Sequence, residues 1–244
     1  MNYKLTLCYD GSRYRGWQKQ GNTDNTVQSR VEITLSRITG EYIEINGCGR
    51  TDAGVHARSQ VCSFKADTKK TCNELLDGLR KYLPEDIGAV SLERADERFH
   101  ARLSCKEKTY LYRIHNSESP NVFERKYSYS YHQMLNIEKM REAAEHLKGT
   151  HDFAAFCSLK NSKKSTVRTI YDIDISKSDD LLLISLTGDG FLYNMVRIIV
   201  GTLIETGDGR REPDSIPRIL SSKNRELAGF TAPANGLFLW DIKY

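Results

Sequence analysis

The stretch Asn46–Ala57 constrains the fold of this chain most, because its composition excludes the interior of a regular element. It contains three glycines together with Arg50, Asp52 and His56. That much conformational freedom and charge is atypical of a strand or a helix and typical of a shaped loop. The rest of the fold is therefore expected to be arranged around a loop at this point.

Strand-like patterns lie on both sides of the loop. Ile43 and Ile45 alternate with polar residues before it, and a second β-like run, Gln60–Phe64, follows it. The loop is therefore predicted to place Asp52 near the rim of a sheet. From the loop alone a plainer alternative stays open, in which Asp52 only caps a turn or a helix.

The first half of the chain predicts the element order β-α-β-β-α-β. Hydrophobic alternation predicts strands at Tyr3–Tyr9, Tyr42–Ile45, Gln60–Phe64 and Ile87–Leu92. Helical spacing predicts one helix after Thr26 that ends at Gly40, and a second from Asn73 that ends before Pro84.

The second half predicts a similar order. Its predicted strands are Lys108–Ile114, Thr169–Ile175, Leu181–Leu186 and Gly236–Ile242, and its predicted helices run from Asn136 to Gly149, from about Phe191 to Glu205, and from near Asp214. The expected fold is therefore α+β, with two ferredoxin-like, split β-α-β halves at residues 1–104 and 105–244.

Composition indicates an ordinary globular protein. Of 244 residues, 39% are hydrophobic and 28% are charged, which excludes the disordered and fibrous classes. The chain has no run near the roughly 18 apolar residues of a membrane span. Since Met1–Lys4 leads directly into a strand pattern without a signal-peptide core, we expect no membrane association and a cytoplasmic location.

Cysteine and histidine spacing gives no sign of a metal or redox site. The six cysteines form no CxxC pair and the six histidines form no HxxxH or HExxH pattern. Neither a zinc site nor a thioredoxin-type centre is indicated. We therefore expect side-chain chemistry without a metal or a cofactor.

Basic residues are clustered although the net charge is only +4. The clusters are Arg13, Arg15 and Lys19; Arg50 and Arg58; and Lys160, Lys163, Lys164 and Arg168. Clusters beside glycine-rich segments favour a phosphate-bearing partner. Aromatic residues alternate with arginines in Gly11–Gln18, which is typical of base stacking or, alternatively, of a surface turn with a half-buried Trp17.

Arg197 stands in an almost wholly apolar segment, Phe191–Gly201. A buried guanidinium without a partner costs several kcal/mol, so a carboxylate is required unless the side chain extends to solvent. The candidate carboxylates are Asp52, Asp189 and Glu205.

Six parts of the chain together form a recognisable pattern. They are Gly49–Ala57, Tyr9–Gly11 with Gly16–Gln18, Phe99–Arg102, Lys108–Tyr112, Phe191–Arg197 and Thr231–Leu237. Taken in chain order, they resemble segments of the TruA-type tRNA pseudouridine synthases, and the resemblance spans essentially the whole chain. Leu103 and Cys105 depart from the family pattern, which has an aromatic and a small residue there, but neither carries a predicted catalytic role.

The resemblance implies isomerisation of uridine to pseudouridine at the 3′ side of the tRNA anticodon stem-loop. The C1′–N1 glycosidic bond breaks, the uracil turns while bound, and a C1′–C5 bond forms. Asp52 matches the catalytic aspartate, which either attacks C1′ or abstracts a sugar proton to give a glycal.

The resemblance also implies roles for other residues. Arg197 matches the arginine that pairs with the catalytic aspartate. Tyr110 matches the tyrosine that stacks on the target uracil, although its strand pattern by itself favours a core tyrosine. Arg50 is implied to fill the gap left by the everted base, and the clustered basic residues to contact phosphates.

The implied partner is tRNA, bound across a homodimer, with no metal and no small-molecule cofactor. The two halves are expected to join into one large, mainly antiparallel sheet, with helices on one side and a central catalytic cleft.

Two other functions stay open. A glycosylase that hydrolyses the N-glycosidic bond needs a second carboxylate to activate water, and Asp189 is the candidate. A non-catalytic pair of RNA-binding modules is the other alternative, but the strands carry no RNP-type aromatic motif, and such a surface does not require Asp52 together with Arg197.

Overall fold

The computed structural model describes residues 1–158 and 165–244. The protein is α+β and its strands pair mainly in the antiparallel sense, which confirms the predicted fold class. Two compact units form, Met1–Lys106 with Phe238–Tyr244 and Glu107–Leu237.

The first unit contains four strands and two helices before the chain passes to the second. They are β1 (Asn2–Tyr9), α1 (Val27–Thr39), β2 (Asn46–Gly47), β3 (His56–Lys65), α2 (Cys72–Tyr82) and β4 (Ile87–Arg94). β1 lies between β3 and β4 and is antiparallel to both, while the short β2 is antiparallel to β3. This is the predicted β-α-β-β-α-β order.

The signals at the helix ends act as the sequence predicts. The hydroxyl of Thr26 accepts a hydrogen bond from the backbone N–H of Ser29 at the start of α1, and Gly40 ends that helix at φ 81°. Thr71 and Glu74 form a reciprocal capping box at the start of α2. These bonds satisfy N–H groups that have no partner within the helix.

The strand predicted at Tyr42–Ile45 does not form, and only Asn46–Gly47 pairs with β3. Ile43 and Ile45 are buried, as their alternation predicts. However, their backbone N–H groups donate to the side chains of Ser36 and Glu32 on α1. The prediction was wrong because helix side chains supply the hydrogen bonds that a neighbouring strand was expected to supply.

The second unit contains five strands and three helices among the residues that the structure describes. They are β5 (Glu107–His115), β6 (Tyr129–Ser130), α3 (Ile137–Glu145), β7 (Gly149–Asp152), β8 (Val167–Ser178), β9 (Leu181–Gly188), α4 (Met195–Gly207) and α5 (Ser215–Ser222). β9 is antiparallel to β5 and to β8, β7 is antiparallel to β8, and β6 is parallel to β5.

The last strand of the chain, β10 (Leu237–Lys243), lies mostly in the first unit and pairs in parallel with β3. Phe238 is opposite His56 in this register, and the two rings stack with centroids 4.7 Å apart. From the sequence, this strand was assigned to the second half, residues 105–244, because it is the last element of the chain. In the structure, Phe238–Tyr244 belong instead to the first compact unit.

No helix in the two described ranges is long and apolar enough to cross a bilayer.

The capping box predicts a measurable contribution to stability. Thr71→Ala removes the hydroxyl that accepts from the backbone N–H of Glu74 at 3.2 Å, so the free energy of unfolding should fall by about 1 kcal/mol. Urea denaturation followed by circular dichroism measures the change. Thr71→Ser keeps the hydroxyl and should match the wild type; an equal loss in both variants would assign the effect to packing instead.

Candidate active site

The loop that carries Asp52 connects β2 to β3 in the first unit. The carbonyl of Asp52 accepts a hydrogen bond from the N–H of Val55 at 3.1 Å, which closes a tight turn. Gly54 lies in this turn at φ 80°, a conformation that side chains disfavour. Asp52 is half-buried and Arg50 is exposed, so the loop presents charged side chains beside a rigid turn.

Three hydrogen bonds fix the residues just before Asp52. The carbonyl of Thr51 accepts from the backbone N–H of Trp17 at 3.0 Å, and the Thr51 hydroxyl lies 2.8 Å from the hydroxyl of Tyr9. The amide of Gln60 donates to the carbonyl of Gly49 at 2.9 Å. Burial raises the pKa of Tyr9, although its bond to Thr51 opposes the shift.

Two glycines allow the N-terminal segment to approach this loop. A Cβ on Gly11 would lie 1.9 Å from the carbonyl oxygen of Val55, and one on Gly16 would lie 2.7 Å from that of Thr51. Gly16 also has φ 96°. The backbone of Gly11 donates to Nδ1 of His56 at 3.1 Å. The segments Tyr9–Gly11 and Gly16–Gln18, singled out in the sequence, therefore support the Asp52 loop.

The aromatic rings of the N-terminal segment do not form a base-stacking surface. Trp17 is 1% exposed and its ring packs on Gly47, and Tyr14 is also buried. The expectation of stacking from this segment is wrong, because the rings fill the core beneath the loop. The charged residues between them, Arg13 and Arg15, are exposed.

The remaining basic residues of the first unit differ in their surroundings. Lys19 forms an ion pair with the buried Glu32 at 3.2 Å, which raises the pKa of its ammonium. Arg58 lies over the ring of Trp240, 4.4 Å from its centroid, and is exposed. A guanidinium stacked on an aromatic face is held in a defined orientation. The contribution of Trp240 was missed because β10 is remote in sequence.

Arg197 lies in the first turn of α4, in the second unit. Its Nε donates to the carbonyl of Ala232 at 2.7 Å and its Nη1 donates to Oδ1 of Asn194 at 3.1 Å. The helix was predicted to begin at about Phe191 but begins at Met195. Asn194 adopts φ 61°, outside the right-handed helical region, and α4 begins directly after it.

The segment before β10 surrounds Arg197 and Tyr112. The backbone N–H of Ala232 donates to the carbonyl of Arg197 at 3.1 Å. The carbonyl of Pro233 accepts from the hydroxyl of Tyr112 at 2.8 Å. Burial raises the pKa of Tyr112, against the opposing charge of Arg197. A Cβ on Gly236 would lie 2.8 Å from this tyrosine ring, which explains a glycine there.

Tyr110 lies on β5, opposite Leu186 of β9. Its side chain is 8% exposed, and its ring meets that of Phe191 edge to face with centroids 5.2 Å apart. The structure places Tyr110 and Arg197 in the same unit, on β5 and α4. Phe191 was not singled out from the sequence, because it reads as one more apolar residue of the predicted helix.

Two of the carboxylates considered as partners of Arg197 have other partners. Glu205 accepts from Arg211 at 2.8 Å and from the backbone N–H of Phe230 at 3.2 Å. Asp189 accepts from the backbone N–H of Thr169 at 3.0 Å, where it ties β8 to the end of β9. This contact gives Asp189 a structural role and weakens the case for a glycosylase.

Arg168 is half-buried and donates to the carbonyls of Ser165 and Val167. The predicted RNA-contact residues Lys160, Lys163 and Lys164 lie outside the described residues. Within the described part of the chain, no three His, Cys, Asp or Glu side chains come together as a group that could hold a metal ion.

Comparison with known proteins identifies the relatives of this chain. A family model described as tRNA pseudouridine synthase matches residues 7–103 and 143–244. "tRNA pseudouridine synthase A 2" of Bacillus anthracis is 47% identical over 243 residues, which cover 100% of this chain and 99% of the relative. "tRNA pseudouridine synthase A 1" of Clostridium tetani has the same identity and the same coverage.

Among solved structures, a crystal structure of a Cbf5-Nop10-Gar1 complex matches 83% of this chain and 45% of that chain, with 12% identity and a TM-score of 0.38.

The close approach at Gly11 predicts that a single methyl group disturbs the Asp52 loop. Gly11→Ala places a Cβ against the Val55 carbonyl and should lower the free energy of unfolding by roughly 1–3 kcal/mol. Thermal unfolding by calorimetry measures the loss. Gly21→Ala is the matched control, because nothing lies within 4 Å of a Cβ there, and it should leave the unfolding temperature unchanged. Equal behaviour of the two variants would contradict the close packing.

Proposed function

Because the chain belongs to the tRNA pseudouridine synthase family, we propose that it isomerises uridine at the 3′ side of the anticodon stem-loop, with Asp52 as the catalytic carboxylate. The family assignment makes the protein an isomerase that forms pseudouridine in tRNA. The observation that carries the proposed role of Asp52 is the rigid support of its loop by Tyr9, Trp17 and Gln60. A catalytic carboxylate must be held in place before the substrate arrives.

The reaction exchanges one bond of the nucleoside for another and needs no external reactant. The C1′–N1 bond breaks, the uracil turns, and C5 bonds to C1′; the C5 proton is lost and N1 gains a proton. Asp52 either attacks C1′ as N1 leaves and is displaced when C5 bonds to C1′, or removes a sugar proton to give a glycal and returns it when C5 bonds to C1′. Both routes start from the ionised carboxylate, which is the nucleophile in the first and the base in the second.

Arg197 is proposed to orient the carboxylate of Asp52. Two of its donors are engaged by Ala232 and Asn194, and a planar guanidinium anchored in this way presents its remaining donors in fixed directions. Of the other carboxylates considered, Glu205 and Asp189 make different contacts, which favours Asp52 as the partner during catalysis.

Tyr110 is proposed to stack on the target uracil. Its ring is held by an edge-to-face contact with the ring of Phe191, and a ring oriented in this way offers a defined face to a base. Because its side chain is buried, the stacking needs the base to be everted into the protein. Arg50 is exposed and close in sequence to Asp52, so it is the residue proposed to occupy the space left by the base.

The tRNA is proposed to contact a set of basic residues through its phosphates. The residues proposed for these contacts are Arg13, Arg15, Lys19, Arg58, Lys163, Lys164 and Arg168. Arg13 and Arg15 are exposed, and Trp240 orients Arg58. Phosphate contacts offset the cost of base eversion, which is smaller near a loop than within a duplex. We propose a homodimer as the binding form.

One experiment tests the proposed function most directly. Pseudouridine is mapped in tRNA from cells that lack the protein and from cells in which it is restored. Modified uridines confined to the anticodon stem-loop and dependent on the protein are the expected result. Release of free uracil would instead indicate a glycosylase, and tRNA binding without any modified uridine would indicate a non-catalytic RNA-binding protein.

Asp52→Asn keeps the size of the side chain and removes its charge. It should abolish pseudouridine formation while the Kd for tRNA stays within about threefold, since phosphate contacts dominate the affinity. Single-turnover assays and filter binding measure the two quantities. Asp24→Asn removes an exposed carboxylate of the same unit and should retain full activity. Continued conversion of uridine by Asp52→Asn would exclude the proposed role.

Arg197→Lys keeps the positive charge but not the planar set of donors. The kcat should fall on the order of 100-fold, because an ammonium group cannot hold a carboxylate through two parallel hydrogen bonds. Arg218→Lys changes an exposed arginine of the same unit and should leave kcat unchanged. Normal turnover by Arg197→Lys would mean that Arg197 has no part in catalysis.

A further inference from the structure

α4 begins at a residue with an uncommon backbone conformation. Asn194 is the N-cap residue and has φ 61° and ψ 5°, and its side chain makes no capping hydrogen bond. N-cap residues ordinarily have an extended backbone and use their side chains to accept from the helix. Asparagine tolerates the left-handed region better than most residues but still at a cost. Helix capping therefore does not explain this geometry.

The amide of Asn194 is engaged at both of its polar atoms. Oδ1 accepts from Nη1 of Arg197 at 3.1 Å, and Nδ2 donates to the hydroxyl of Ser158 at 3.0 Å. Because Ser158 orients the amide, its oxygen faces the guanidinium and its nitrogen faces away. The left-handed backbone thus directs a side chain toward Arg197 instead of toward the first turn of the helix.

Arg197 is held at a second point by backbone. Its Nε donates to the carbonyl of Ala232 at 2.7 Å, and the N–H of Ala232 in turn donates to the carbonyl of Arg197 at 3.1 Å. One hydrogen bond at Nε leaves the guanidinium plane free to tilt, and a second at Nη1 removes that freedom. The bond from Asn194 comes from a side chain, so substitution can remove it.

We infer that Asn194 is a positioning residue for this isomerase: its amide, oriented by Ser158, fixes the plane of the Arg197 guanidinium in the orientation that catalysis requires. The inference rests on the proposed function, since it assumes that Arg197 acts in catalysis. In this role Asn194 acts on the rate through Arg197.

The main test variant removes the side-chain amide of residue 194 but keeps its left-handed backbone conformation. Asn194→Gly keeps the left-handed conformation without steric cost and removes both hydrogen bonds. Its unfolding temperature should stay within a few degrees of the wild type, its KM for tRNA within about threefold, and its kcat should fall on the order of 10-fold or more. Asp179→Gly is the matched control, because Asp179 also has positive φ, at 52°, but lies in the β8–β9 turn; it should retain the wild-type kcat.

A second variant leaves the backbone at the start of α4 untouched. Ser158→Ala removes only the acceptor for Nδ2 of Asn194, so it should lower kcat by less than Asn194→Gly, again with KM unchanged. If Asn194→Gly does not fold, Ser158→Ala decides the question by itself. A wild-type kcat for this variant then overturns the inference.

A double-mutant cycle identifies the route of the effect. If Asn194 acts through Arg197, then Asn194→Gly should lower kcat by less than about threefold when Arg197 is already lysine. An equal reduction in both backgrounds indicates a general structural effect and overturns the inference, as does a wild-type kcat for Asn194→Gly alone. Loss of activity in Arg197→Lys with no effect of Asn194→Gly rejects the positioning role and leaves the proposed function intact. Normal turnover of Arg197→Lys rejects the positioning role of Asn194 together with the proposed role of Arg197, but leaves the isomerase activity and the proposed role of Asp52 intact.

Discussion

The hydrogen bonds to Thr51 are the interactions on which the rest of the proposed site depends. Its carbonyl and its hydroxyl are both engaged, by Trp17 and by Tyr9, so the backbone entering Asp52 has little freedom. Neither contact is possible unless the N-terminal segment lies directly on the loop, which Gly11 and Gly16 allow. Rigidity at a charged residue is thus produced by residues that carry no charge themselves.

The same principle operates around Arg197 in the second unit. Its guanidinium is held by a carbonyl from the segment before β10 and by the amide of Asn194. In both units, therefore, a short-range hydrogen bond and a contact from a distant part of the chain hold a functional residue or its immediate neighbour. Such support explains why resemblance to the family extends over the whole chain and is not limited to one loop.

The sequence predicted elements well where local chemistry decides their ends. Thr26 and Gly40 bound α1, and Pro84 follows the end of α2, because capping and steric exclusion act within a few residues. The strand at Tyr42–Ile45 was wrong because its partners are side chains of a helix. The start of α4 was wrong because one left-handed residue, invisible in hydrophobic periodicity, interrupts an apolar run.

For the candidate site, the sequence drew attention to Asp52 as a carboxylate in a glycine-rich loop and to Arg197 as a charge in an apolar segment. Their catalytic roles come from the family resemblance and stay predictions. The exposure of Trp17 was predicted wrongly, because a segment in which aromatic residues alternate with arginines has the same sequence pattern whether its rings face RNA or the core. The contacts that Asn194 and Phe191 make were not predicted, because no spacing rule shows which residue a side chain will touch.

The return of β10 to β3 has a consequence for how the protein is made. The strand that pairs beside His56 is synthesised only after all of Glu107–Leu237, so the first unit is discontinuous in the chain. During synthesis on the ribosome, β3 therefore cannot pair with β10 until the entire second unit has emerged. The unit that begins the chain is the one completed last, and a nascent chain that pauses within α5 exposes the edge of β3 to the wrong partners.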